Sequence, residues 1–200
     1  MRYDEAMANP RAADEDLTAK ARIRNTALDL YAQYGEERIS LRAVASEAGV
    51  TLGLVQHHFK TKAGLREAVD QLVIDYYVEA LRSVDAEKDP RKLAAARDAA
   101  VTGMLTANPP IVNYVRRAVL EPSEEQLSML DALVQLTRDE VATLRKEGMA
   151  PTDRAESTQV VSVMVRQMGA LLLQPLIDAA WDRLEHGNAP KPTLSIRVLD

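Results

Sequence analysis

The sequence predicts an all-α protein with a helix-turn-helix near its amino terminus, on three observations. Only 4% of its 200 residues are aromatic, and 8 glycines with 9 prolines leave few turn-formers for a many-stranded fold. Alanine and leucine, both strong helix formers, recur throughout. Apolar residues return at helical spacing, between Ser, Thr and Gly residues placed as helix ends.

Taken in order, residues 1 to 15 are polar with no apolar period and read as a disordered arm. From a cap at Asp16 or Thr18, Ile23, Ala27, Leu30, Tyr31 and Tyr34 share one helical face until Gly35 stops the run. Ser40 caps a short second helix through Leu41, Val44, Ala45 and Ala48, ended by Gly49. Thr51 caps a third with Leu52, Val55 and Phe59 on one side, and Thr61 a fourth that runs to about Val84. Pro90 opens an Ala-rich fifth helix ending near Asn108, Pro109-Pro110 breaks the chain, and residues 111 to 120 form a sixth. Two long helices close the series, from about Ser123 to Glu147 and from Asp153 to Glu185. The last is apolar on more than one side, which predicts burial against two surfaces, and Pro175 is expected to kink or end it. An extended tail begins at Asn188.

These elements divide into the arm (1–15), a helix-turn-helix domain (16–62), a larger helical domain (63–187) and the tail (188–200). No cysteine is present, which removes thiolate metal sites, CxxC redox chemistry and cysteine nucleophiles. The amino terminus has acids where a secretion signal needs bases, and the apolar runs stop at Arg166 and Gln174-Pro175, short of the roughly 20 residues of a membrane span. A cytoplasmic protein with no membrane partner is expected.

Charge is unevenly spread. The net −5 divides into −3 over residues 1–16, +4 over 17–66 and −6 over the rest. A compact basic segment on an acidic chain suits a polyanion-binding module. That segment contains Ser40 to Phe59, SLRAVASEAGVTLGLVQHHF, built as two short helices about Gly49 with small Ala45 at their contact. Its outward residues Thr51, Gly53, Leu54, Gln56 and His57 are short, polar or flexible groups that suit a major groove. Arg42, Lys60 and Lys62 flank them, and the helix starts at Ser40, Thr51 and Thr61 suit phosphate oxygens.

The run Ile23 to Asp70, with ALDLYAQYG, LRAVASEAGV and VQHHFKTKAGL in order, resembles the amino-terminal domain of TetR-family transcriptional regulators. The resemblance covers the first third of the chain. It implies that Thr51 to His58 is a recognition helix, that Lys62 holds a phosphate, and that the helical domain 63–187 binds an effector and dimerises, its last two helices pairing as a four-helix bundle. It also implies a homodimeric repressor released from a palindromic double-stranded DNA operator by a small-molecule effector of unstated identity. Three residues depart from the family pattern. Gln56 stands where Tyr is usual and suits adenine, Leu54 replaces a small hydroxyl residue and suits a thymine methyl, and Gly64 replaces an acidic residue, removing a capping-box partner for Thr61.

Other chemistry is weaker. His57 and His58 point about 100° apart on a helix and do not share a metal readily; they read as DNA contacts. His186 lies near a helix end, and Glu124-Glu125 and Asp139-Glu140 read as solvated faces. No catalytic acid–base pair, GxSxG, phosphate loop or HExxH is present, so no catalytic residue, metal or cofactor is expected. Met104, Tyr114, Met164 and Met168 are candidates for an effector cavity, methionine adapting to irregular shapes and tyrosine offering a polar handle; core packing competes with that reading for each. Asn113, Arg116, Arg117, Arg166 and Gln167 are the nearby polar groups. The alternative is a small-molecule-binding or enzymatic helical protein of the same fold that does not use DNA.

Overall fold

A computed structural model describes residues 18–120, 127–184, 189–192 and 194–198. The predicted arm, Glu124, Glu125 and His186 lie outside these residues. Among the described residues eight α-helices account for most of the regular structure: α1 (Ala19–Tyr34), α2 (Leu41–Glu47), α3 (Leu52–Phe59), α4 (Lys62–Arg82), α5 (Pro90–Ala107), α6 (Pro109–Leu120), α7 (Leu127–Lys146) and α8 (Glu156–Trp181). A 3-10 turn, Glu36–Arg38, links α1 to α2, and no strand occurs among the described residues.

The helix ends follow from local chemistry. Thr18, Ser40, Thr51 and Thr61 each accept a hydrogen bond from the backbone N–H three residues on, at 3.0–3.3 Å, satisfying a donor that the first turn leaves unpaired. Gly35 ends α1 at φ 84°, and Gly49 takes φ 65° in the turn between α2 and α3. Pro109 starts α6 two residues earlier than the sequence suggests, because a first-turn proline has no N–H to lose.

The chain separates into two compact units. The first comprises the described parts of Met1–Glu87 and Arg91–Ala132, the second those of Lys88–Pro90 and Leu133–Asp200. Packing divides the chain within α7. The cause is α1, which lies against α2 and α3 but also against α4 and α6. Ile23, Leu28 and Tyr31 of α1 share its core with Val44 and Val55, with Leu65, Val69 and Leu72 of α4, and with Ile111 and Val115 of α6, every one at most 1% exposed. Burying each such side chain contributes about 1.5–3 kcal/mol. Arg117 of α6 adds a polar tie, donating through Nε and Nη2 to the carbonyls of Ala32 and Gln33 at the α1 carboxy terminus, where a cation also meets the negative helix end.

In the second unit Leu133, Val141, Val160 and Leu171 are buried. Arg145 ties the connection that follows α7 by donating to the carbonyls of Pro151, Thr152 and Arg154 and to Gln159 Oε1. Two expectations about α8 are corrected. Pro175 sits inside the helix without ending it, since proline removes only one donor and the turns on either side continue the ladder. The helix is also not buried on two sides: Val161, Val165, Leu173 and Leu176 are 39–65% exposed, because the described residues cover them only in part. By length and composition Glu156–Trp181 is apolar enough to cross a membrane, Arg166 and Gln174 notwithstanding.

Candidate nucleic-acid interface

The interface is assembled by α2, α3 and the start of α4. Val55 and Phe59 turn inward from α3 at 0% and 6% exposure, which fixes the helix's rotation about its axis. Thr51, Gly53, Gln56 and His57 are thereby exposed, while Leu54 and His58 are half-buried. Ser40 and Arg42 are exposed on α2, as are Lys60 and the cap Thr61 beyond α3. The structure thus brings together the residues predicted to meet DNA. The His57 and His58 rings stand edge to face at 5.3 Å, and the His58 ring lies 6.2 Å from that of Phe59. Among the described residues no cluster of His, Asp or Glu has the makings of a metal site.

The junction of α3 and α4 is strained. Lys60 has φ 64° and ψ −59°, and Thr61 N–H donates to Phe59 O at 2.7 Å across it, closing a positive-φ γ-turn. That turn swings the Phe59 carbonyl over the first turn of α4, where a Cβ at Gly64 would overlap it. Glycine at 64 therefore does more than remove an acidic capping partner: it makes room for the turn, and Thr61 still caps α4 through Gly64 N–H at 3.0 Å. Lys62, half-buried, donates to the carbonyl of Glu37 at 3.4 Å, so its ammonium joins α4 to the 3-10 turn. Lys60 Nζ donates to the His57 carbonyl at 2.8 Å, beside the free end of α3.

The four effector candidates are dispersed over the two units. Met104 and Tyr114 are buried in the first, and Met164 and Met168 are half-buried on α8 in the second. Tyr114 is committed to a polar cluster that the sequence did not reveal. Its hydroxyl donates to Asp70 Oδ1 at 2.6 Å, and Ser128 Oγ donates to Asp70 Oδ2 at 2.9 Å. Burial raises the Asp70 carboxyl above its ordinary value of 3.8, opposed by these two hydrogen bonds and by Arg66, with Glu67 adding to the rise. Burial, then the Asp70 charge, pushes the Tyr114 hydroxyl far upward, so it remains a donor. Tyr31, Glu36, Arg66 and Arg117 complete the walls of a cavity of about 10 Å³, room for one water and not for an organic effector. The only sequence signal for Asp70 is a charge at a core position of α4, four residues after Arg66.

Caps, glycine turn and outward polar face define this assembly as a helix-turn-helix domain on an all-helical protein. Residues 23–69 match the model of the tetR family of bacterial regulatory proteins. A curated relative, the HTH-type transcriptional regulatory protein RaaS of Mycobacterium tuberculosis (strain ATCC 25618 / H37Rv), is 46% identical over 71 residues, 36% of this chain. The match spans about a third of the relative's own length, 31%. Among solved structures, one described as a tetR family transcription regulator from Shewanella sp. PV-4 aligns over 84% of this chain and 90% of its own with a TM-score of 0.67 at 21% identity. A transcriptional regulator from Rhodococcus sp. Rha1 aligns over 80% and 87% with a TM-score of 0.61 at 23% identity. Those two likenesses are of fold. Residues 23–69 thus carry an amino-terminal domain of the tetR family type, the helical architecture as a whole is like that of the two solved structures, and these relatives are named as regulators.

Proposed function

We propose that this protein is a homodimeric repressor that binds a palindromic DNA operator and leaves it when a small-molecule effector binds. The observation that carries the reading is the sidedness of α3: Val55 and Phe59 are buried while Thr51, Gly53, Gln56 and His57 face outward within a segment of net charge +4. In this reading Gln56 and His57 meet base edges, Leu54 meets a thymine methyl, and Ser40, Arg42, Thr51, Gly53, His58 and Lys62 meet backbone or groove walls.

The exposed apolar residues of α8 support the dimer, since a second copy supplies a surface that the described residues do not. Two-fold symmetry then sets half-sites about one helical turn, roughly 34–36 Å, apart. An effector that favours another pose of α4 lowers DNA affinity by linkage, typically by about 1–3 kcal/mol. Met104 and Tyr114 stay as proposed effector contacts within the first unit, Tyr114 bringing Asp70 with it as a polar pair, and Met164 and Met168 stay as proposed contacts within the second, each pair taken by itself. A cytoplasmic location belongs to the same reading.

Selection of bound duplexes from a random DNA pool at two salt concentrations tests it. A palindromic motif enriched at both salts is expected. Weak, salt-sensitive retention without a motif overturns the sequence-specific reading.

A further inference from the structure

The described carboxy-terminal segment lies along α8 in an ordered register. Lys191 Nζ pairs with Asp178 Oδ1 at 2.5 Å, five residues later Ile196 seats its Cδ1 on the bare Cα of Gly169, and Val198 lines a surface hollow with Val161, Ser157, Thr158 and residues 153–155. The contacts run 178, 169, 161 on the helix as the tail runs 191, 196, 198, so the segment is antiparallel to α8. Burial along it alternates as in an extended chain on an apolar surface: Leu194, Ile196 and Val198 are half-buried, Ser195 and Arg197 exposed. Asp178 is further fixed by Gln174 Nε2 at 3.0 Å, and the Lys191 hydrogen bond holds its carboxyl below the ordinary range.

The seat coincides with the exposed stripe. Val161, Val165, Gly169 and Leu173 recur every four residues and share one face of α8, with Gly169 as its notch. The three apolar side chains at 39–47% exposure remain only partly covered. The strap is lightly held: the side chains of its ion pair are each 43% exposed, and Leu194, Ile196 and Val198 are only half-buried. An ion pair so exposed to solvent adds little to stability.

We propose that the described residues 191–192 and 194–198 form a removable strap that competes with a second copy of the chain for the α8 stripe, and so set the concentration at which the protein self-associates. The inference rests on the homodimer reading. Both straps must leave for two copies to meet, so the competent fraction of each protomer enters the dimer constant twice.

The test compares the full chain, a chain ending at Asn188 and Ile196→Asp by sedimentation equilibrium, with trypsin cleavage after Arg197 as a direct report of docking. Both variants are expected to dimerise about 10- to 100-fold more tightly than the full chain, if a strap is docked roughly 70–90% of the time. Cleavage of the full chain is expected to be slow when dilute and to quicken as dimer forms, whereas Ile196→Asp is cut quickly throughout. A full chain that dimerises as tightly as both variants, or more so, overturns the strap and leaves the dimer reading standing. Failure of all three to dimerise overturns the dimer reading and the strap with it.

Discussion

The Tyr114 hydroxyl of α6 donates a 2.6 Å hydrogen bond to Asp70 of α4, joining residues 44 apart in sequence inside the first compact unit. Asp70 is 6% exposed and Tyr114 8%, so both groups are removed from bulk solvent. Tyr114→Phe deletes the donor and leaves the carboxylate with Ser128 alone among these hydroxyls. A hydrogen bond to a charged group contributes about 1.5–3 kcal/mol. The variant is expected to lose about 3–10 °C of melting temperature for a chain of this size. Its Asp70 titration, followed by carboxyl NMR, is expected to move further upward. A downward move would show that Tyr114 does not serve the ionised form.

The same carboxyl sets a sign for pH dependence. Because the folded chain raises Asp70 above 3.8, folding favours its protonated form. The stabilising contribution of that proton is present below about 3.8 and is lost as pH rises through the higher folded value. Asp70→Asn cannot ionise, and its amide can still accept from Tyr114 and donate to Ser128 Oγ. Urea midpoints measured from pH 4 to 7 are therefore expected to improve in the variant relative to wild type as pH rises. A constant difference across that range would assign the cluster no role in acid linkage.

The strained Lys60 turn and its glycine partner make a matched pair of predictions. Lys60 holds a backbone conformation that costs a non-glycine residue about 1–3 kcal/mol. Lys60→Gly releases that strain but adds freedom to the unfolded chain, for a net gain of about 1 kcal/mol or less. Gly64→Ala sets a Cβ against the Phe59 carbonyl, a backbone atom that cannot turn aside, and is expected to destabilise by about 1–3 kcal/mol. Thermal melts of both variants check the pair, and a gain from Gly64→Ala would remove the close approach from the account.

How much of this was legible beforehand depended on range. Thr18, Ser40, Thr51 and Thr61 cap helices because each acts on a backbone N–H three residues away, so a sequence window contains the whole interaction. The outward face of α3 was legible for the same reason: Val55 and Phe59 declare its inner side by spacing. Asp70 was not, since its partners come from 44 and 58 residues away and a lone acid on a helix ordinarily faces water. Nor was the seat of Ile196 on Gly169, which needs the tail folded back on α8. The apolar surplus of α8 was read from sequence, but its burial was not settled there, because spacing tells how much surface seeks cover and not which chain provides it.

Lys62 carries two roles that one substitution can separate. Its ammonium donates to the Glu37 carbonyl at 3.4 Å, a long and half-exposed bond that contributes little to stability. In the DNA-binding reading the same group neutralises one phosphate. Lys62→Ala is then expected to weaken every duplex about equally and to lower the salt slope of log K by about 1, with little change in melting temperature. Gln56→Ala, on the exposed face of α3, is expected to cost about 1–3 kcal/mol on the preferred duplex alone and to leave the slope intact. Binding isotherms at four salt concentrations on a selected and a scrambled duplex separate the two. Should Lys62→Ala lower the melting temperature while leaving the slope unchanged, its part is to hold the 3-10 turn, and the phosphate contact must be sought at Arg42 or Lys60.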